Sequence, residues 1–166
     1  MPIRRRDRNY NKRVSSLSSS STNRSGKPKA PGYILDDQIG FILRQVYQKH
    51  ALLFAEYVGD DITPTQWAVI AKLSEVGDCS QNLLGRMTAM DAATIKGVVE
   101  RLIKRGYVAS GPSPTDRRRV LVSLTAAGRK AFERRVEHAA QVSLATLAPL
   151  KPQFRVALLR LLKQLR

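Results

Sequence analysis

The residues best suited to chemistry in this chain are three consecutive arginines. Arg117, Arg118 and Arg119 follow Asp116 in a run that also holds Gly111, Pro112, Ser113 and Pro114. A guanidinium presents a planar fork of donors that matches phosphate oxygens and base edges. That is the chemistry of polyanion recognition. Other reactive side chains are sparse: one cysteine, Cys79, and two histidines, His50 and His138. A lone cysteine makes no intramolecular disulfide, and these three residues fall short of a four-ligand zinc site of Cys and His. No HExxH, P-loop, GxGxxG or GxSxG run is present. The expectation is a protein that is not an enzyme, with no catalytic residue, cofactor or metal.

Net charge agrees with a polyanionic partner. The 166 residues carry 29 Lys and Arg against 13 Asp and Glu, a formal +16. Nine of those cations and one Asp fall in residues 1–31, a Ser-rich stretch ending in Lys27-Pro28-Lys29-Ala30-Pro31. Such a segment buries too little apolar surface to offset chain entropy. It reads as a disordered basic arm, either laid along DNA or simply solvated. The body, residues 32–166, is itself basic. Its apolar runs are short: Val156 to Leu165 is broken by Arg160, Lys163 and Gln164, below the roughly 18 residues of a membrane span. The charged N-terminus leads into serines instead of an apolar stretch. A reduced, soluble, cytoplasmic chain with no membrane partner is expected.

Periodicity supplies the elements that position these residues. Ile39, Ile42, Leu43, Val46, His50, Leu53, Phe54 and Tyr57 recur at three- and four-residue steps, which predicts a long amphipathic helix from about Tyr33 to Gly59. Thr63-Pro64-Thr65-Gln66 reads as a capping box opening a second helix with Trp67, Val69, Ile70 and Leu73, ending at Gly77. Ser80 can cap a third with Leu83, Leu84 and Met87, and Asp91 a fourth with Ile95, Val98, Val99, Leu102 and Ile103 on one face. Tyr107 to Ser110 and Arg119 to Leu124 are β-prone and flank the arginine loop, a hairpin with a basic tip. Thr125 caps a long helix to about Ala148, and Phe154, Leu158, Leu161 and Leu165 stripe a last one after Pro149 and Pro152.

Two short helices followed by such a hairpin make a winged helix-turn-helix, so the fold class is mainly α with flanking terminal helices. The helix after Asp91 would enter a major groove of double-stranded DNA while the wing reaches the adjacent backbone or minor groove. Its outward positions are Ala92, Ala93, Thr94, Lys96, Gly97, Glu100 and Arg101. Small residues allow close approach, and Thr94 and Lys96 offer donors. Alternatively, Thr94 serves the cap and Lys96 only solvent. The expected DNA contacts are Ala92, Ala93, Thr94, Lys96, Gly97, Arg101, Arg117, Arg118 and Arg119, with Ser80 and Gln81 from the preceding helix.

The stretches Thr63-Pro64-Thr65-Gln66-Trp67, Ser80-Gln81-Asn82-Leu83-Leu84, Asp116-Arg117-Arg118 and Leu124-Thr125-Ala126-Ala127-Gly128 resemble the MarR family of bacterial transcriptional regulators, over roughly residues 33–166. The resemblance implies a homodimer in which helices 33–58 and 125–166 interlock and residues 63–124 read a pseudo-palindrome. It implies that Arg118 enters the minor groove, oriented by Asp116 through a salt bridge. SQNLLGRMTAMDAATIKGVVERL, with Tyr33 to His50, further resembles the subgroup that controls nicotinate degradation and responds to a hydroxylated pyridine carboxylate.

Pairing would also cover the apolar stripes of the first and last helices, which have no partner in a winged helix alone. His50, with Tyr47 and Trp67 beside it, could receive a planar aromatic acid such as a hydroxynicotinate, or could be a core histidine bonded to a backbone carbonyl. Cys79 permits a redox-sensing alternative. Peroxide-sensing members of the family carry their cysteine in the first helix, whereas Cys79 precedes the third. A sequence-indifferent architectural DNA binder is the other alternative to a ligand-released repressor.

Overall fold

The computed structural model describes residues 32–165; the basic arm, residues 1–31, lies outside the described residues. The chain divides into a unit ending at Leu43 and a larger one, Arg44–Arg166. A 3-10 turn (Leu35–Asp37) in the first precedes helix α1 (Ile39–Val58), most of which belongs to the second. The helix therefore begins at Ile39 and not near Tyr33. Gln38 is extended, at φ −84° and ψ 127°, and its side-chain amide donates back to the Ile34 carbonyl at 2.9 Å. That breaks helical continuity.

Local capping chemistry accounts for the next three helices. Helix α2 (Pro64–Val76) opens on the expected capping box: Gln66 N–H donates to the Thr63 hydroxyl and Thr63 N–H to the Gln66 amide oxygen, at 3.3 and 3.1 Å. Gly77 ends it at φ +76°, a left-handed conformation that glycine adopts without a steric penalty. Helix α3 (Gln81–Met87) is capped by Ser80, and α4 (Ala92–Lys104) by Asp91. Between them Ala89 holds φ +54°, an uncommon value for a residue with a Cβ.

Strands β1 (Val108–Pro112) and β2 (Val120–Leu124) pair antiparallel, from Val108↔Leu124 to Pro112↔Val120. The first strand thus runs two residues further toward the tip than expected, while each strand starts one residue later; Ser113 N–H donates to the Arg119 carbonyl at 2.7 Å and closes the ladder above Pro112. Cys79 adds a bridge on the other edge, exchanging backbone hydrogen bonds with Val122 at 3.2 and 2.8 Å. Helix α5 (Ala126–Leu147), capped by Thr125, and α6 (Pro152–Gln164) complete the chain.

Two apolar clusters lie inside the larger unit. The first gathers Ile62, Val69, Ile70, Leu84, Ile95, Val98, Leu102, Val108 and Val122, each contributing on the order of 1.5–3 kcal/mol by burial. The second joins Phe54 and Val58 of α1 to Val142 of α5, with Leu53 and Ala139 alongside. Trp67 packs against both. Its indole stacks on Phe132 at 5.4 Å and 15°. Leu83 and Ile103, expected on buried faces, are exposed; each neighbours a residue that fills the core, Leu84 and Leu102. A close backbone approach fixes the base of the wing. A Cβ on Gly128 would collide with the Tyr107 carbonyl oxygen, which accepts Thr125 N–H at 3.1 Å.

Candidate nucleic-acid interface

Helix α4 is divided cleanly between two faces. Ile95, Val98, Val99 and Leu102 are buried, while Ala92, Ala93, Thr94, Lys96, Glu100 and Arg101 are exposed and Gly97 is half-buried. Asp91 secures the first turn by accepting Thr94 N–H at 2.7 Å and the Thr94 hydroxyl at 3.0 Å. Those bonds, the backbone one first, hold the Asp91 carboxyl below the usual aspartate range. The cap is therefore complete above the ordinary Asp pKa and is lost as pH falls through the lowered value. The Thr94 hydroxyl is thus engaged in capping, while its methyl and the two alanines remain on the outward surface.

Lys96 reaches Glu100 only at 4.0 Å across an exposed i,i+4 pair, too weak an interaction to hold it away from an anion. Gly97 lies under the Arg101 guanidinium, with a built Cβ 3.6 Å from its nearest nitrogen and no backbone in the way. Gly97→Ala should therefore raise helix stability by up to about 1 kcal/mol. The same methyl would stand between α4 and a groove, so unfolding midpoint and DNA affinity should move in opposite directions. A rise in both would remove Gly97 from the reading face.

In the wing, Arg118 N–H and Nε donate to one Asp116 carboxylate oxygen at 3.1 and 3.4 Å. The Arg118 side chain is 94% exposed. Arg119 N–H donates to the Asp116 carbonyl at 2.9 Å, and the Ser113 hydroxyl lies 3.1 Å from that of Thr115. The loop is thus hydrogen-bonded to itself, with Arg117, Arg118 and Arg119 projecting outward. On α3, Ser80 is occupied by its cap to Leu83 N–H and Gln81 is half-buried. Asn82 and Arg86, exposed at i,i+4 on the same short helix, were not expected. Their signal in the sequence was only polarity, which does not separate a contact from solvent.

Tyr47, His50 and Trp67 do not come together. Tyr47 lines a cleft of about 420 Å³ with Pro64, Thr65 and Ala68 of α2 and the turn from Thr88 to Thr94. His50 instead faces α5, where Nδ1 is 2.9 Å from the Thr146 hydroxyl. That hydroxyl donates to the Val142 carbonyl at 2.7 Å, so it accepts from His50, leaving Nε2 as an acceptor in the neutral ring. The partner is a side chain, not a backbone carbonyl. Trp67 is committed to the two clusters. Cys79 is buried, and desolvation together with Asp78 raises its thiol pKa, which disfavours the reactive thiolate. Among the described residues no group of three His, Cys, Asp or Glu could hold a metal, and no helix is long and apolar enough to cross a membrane.

A capped helix with a small-residue outward face, set beside an arginine-tipped hairpin, defines a winged helix-turn-helix protein. Residues 60–119 match the MarR family. The chain is 37% identical over 134 residues to the HTH-type transcriptional repressor NicR of Pseudomonas putida KT2440, covering 80% of this chain and 85% of NicR. A probable transcriptional regulator from Pseudomonas aeruginosa shares 54% identity and superposes with a TM-score of 0.76, covering 80% of this chain and all (100%) of that one. BpsR of Bordetella bronchiseptica, whose DNA binding is regulated by 6-hydroxynicotinic acid, shares 38% identity at a TM-score of 0.75, covering 81% and 97%. This chain belongs to the MarR family of transcriptional regulators. Its likeness to NicR and BpsR places it in the subgroup those two define, and these relatives are regulators, not enzymes.

Proposed function

We propose that the chain is a ligand-released repressor that binds a pseudo-palindromic operator as a homodimer in the bacterial cytoplasm. The observation that carries this reading is the pairing of two surfaces: the small-residue face of α4 and the Arg118 fork held by Asp116. In it, Ala92, Ala93, Thr94, Lys96, Gly97 and Arg101 lie against the major groove, with Ser80 and Gln81 at its edge. Arg117, Arg118 and Arg119 reach the minor groove and backbone.

Pairing of two copies is supported by apolar side chains left in solvent by a single chain. Phe154, Val156 and Leu161 on α6, Leu165 at its C-terminal cap, and Val46 and Leu52 on α1, are all exposed. A second copy related by a two-fold axis would cover such stripes and set the two α4 helices about one DNA turn, roughly 34 Å, apart.

The effector we infer is a hydroxylated pyridine carboxylate, by likeness to BpsR. Its place in this reading is the cleft at Tyr47, whose volume suits a small planar acid. The cleft borders the Ala89 turn that sets α4, so a ligand preferring a shifted turn would change the placement of the reading helix. His50, paired with Thr146 of α5, and Trp67, packed in the core, lie outside this cleft.

Salt titration tests the DNA reading. With about 6 to 10 phosphate contacts, operator affinity should fall by roughly three to five decades between 50 and 200 mM salt; a flat titration rejects it. Excess random duplex separates the repressor from an architectural binder, because only a repressor keeps its operator. A panel of aromatic and pyridine carboxylates, read by thermal stabilisation and DNA release, tests the effector class. No stabilisation by any pyridine acid would reject that part alone.

A further inference from the structure

We infer that Asp61 and Arg135 form a positioning clamp that sets the angle at which each winged helix is presented, so that neither residue touches DNA but both govern which half-site spacing is accepted. The inference rests on the homodimeric operator-binding reading above. Arg135 Nη2 donates to Asp61 Oδ2 at 2.9 Å, with the two side chains 19% and 43% exposed. Its other nitrogen, Nη1, faces the Ala131 carbonyl of its own helix at 3.5 Å. The arginine is thus held at both ends of its fork.

The location gives the pair its meaning. Val58, at the end of α1, belongs to the second apolar cluster, and Ile62, four residues on, belongs to the first. Asp61 lies in the link between them. On α5, Phe132 packs on the first cluster and Ala139 and Val142 on the second, with Arg135 between. The ion pair therefore spans the level at which the two clusters meet.

Trp67 crosses the same seam with an apolar ring. Apolar contact is non-directional and tolerates small rotations at little cost, whereas a charge-assisted bond of defined geometry selects one register. Burial accounts for the cohesion of the seam. The ion pair accounts for its angle, and a small rotation there is carried outward to the α4 face and the wing.

The test uses the full chain carrying Asp61→Asn, Arg135→Gln and both changes, against operators with half-sites at the native separation and with one base pair inserted or removed. The expected result is a loss on the order of tenfold at native separation for each single variant, with the double variant no weaker. Discrimination against the altered separations should shrink. Equal loss at every separation, or independent and additive losses, would overturn the clamp and leave only a stabilising pair. A second readout does not involve DNA: spin labels on Ser74→Cys, in a Cys79→Ser background, report the distance between the two α2 helices of a dimer. The distribution should broaden when Asp61 or Arg135 is changed, and an unchanged width overturns the proposal. A chain that dimerises with a narrow distribution yet binds no operator would instead count against the repressor reading.

Discussion

Replacing Gly128 by alanine should destabilise the fold more than any other single methyl added to a helix of this chain. The added Cβ would occupy the space of the Tyr107 carbonyl oxygen, and that oxygen has no freedom to move. It accepts Thr125 N–H, while the Thr125 hydroxyl accepts Gly128 N–H at 3.0 Å and donates to the Gly106 carbonyl at 2.6 Å. Relief requires either tilting α5 away from β1 or breaking the cap. Overpacking costs about 1–3 kcal/mol, and a clash with fixed backbone belongs at the upper end of that range, a large fraction of the roughly 5–15 kcal/mol that stabilises an ordinary domain. Urea unfolding is the measurement. Gly97→Ala is the control, since both are helical glycines and only one meets backbone. If the Gly128→Ala midpoint matched that of the unaltered chain, the close approach at the wing base would be wrong.

Arg118→Ala should abolish most operator affinity and leave folding untouched. Its side chain is almost wholly in solvent and its one ion-pair partner among the described residues is Asp116 two residues away, so removal exposes no core and strands no buried charge. A charged hydrogen-bonding group lost from a DNA contact is worth about 1.5–3 kcal/mol, or on the order of ten- to a hundredfold in affinity. The salt slope should fall by about one if the guanidinium meets a phosphate. If it sits in a narrow minor groove, the loss should be greatest for A·T-rich flanks. Asp116→Asn should produce a smaller loss, because the fork remains but is no longer aimed. Affinity unaltered by Arg118→Ala would remove the wing from the interface.

These expectations were legible to different depths. The caps at Thr63, Ser80, Asp91 and Thr125 could be read because each depends on a hydroxyl or carboxylate meeting an N–H within three residues. The outward face of α4 followed from helical spacing for the same local reason. What escaped was long-range. Nothing near Cys79 announces a bridge to Val122, and His50 finds Thr146 at a separation of 96 residues. Trp67 has the spacing of a pocket wall, yet its ring is taken by Phe132 and the seam. Hydrophobicity predicted burial for Leu83 and Ile103, but the helical turn gives the core to their neighbours.

Trp67 is the chain's sole tryptophan, and its position makes it an intrinsic optical reporter. Stacked on Phe132 and tilted against Phe54 at 6.4 Å, the indole senses one place in the molecule, where the two clusters join. Its emission should respond to an effector that shifts the seam and stay constant for one that merely occupies a surface. A shift at that seam can thus be followed in real time without attaching a dye.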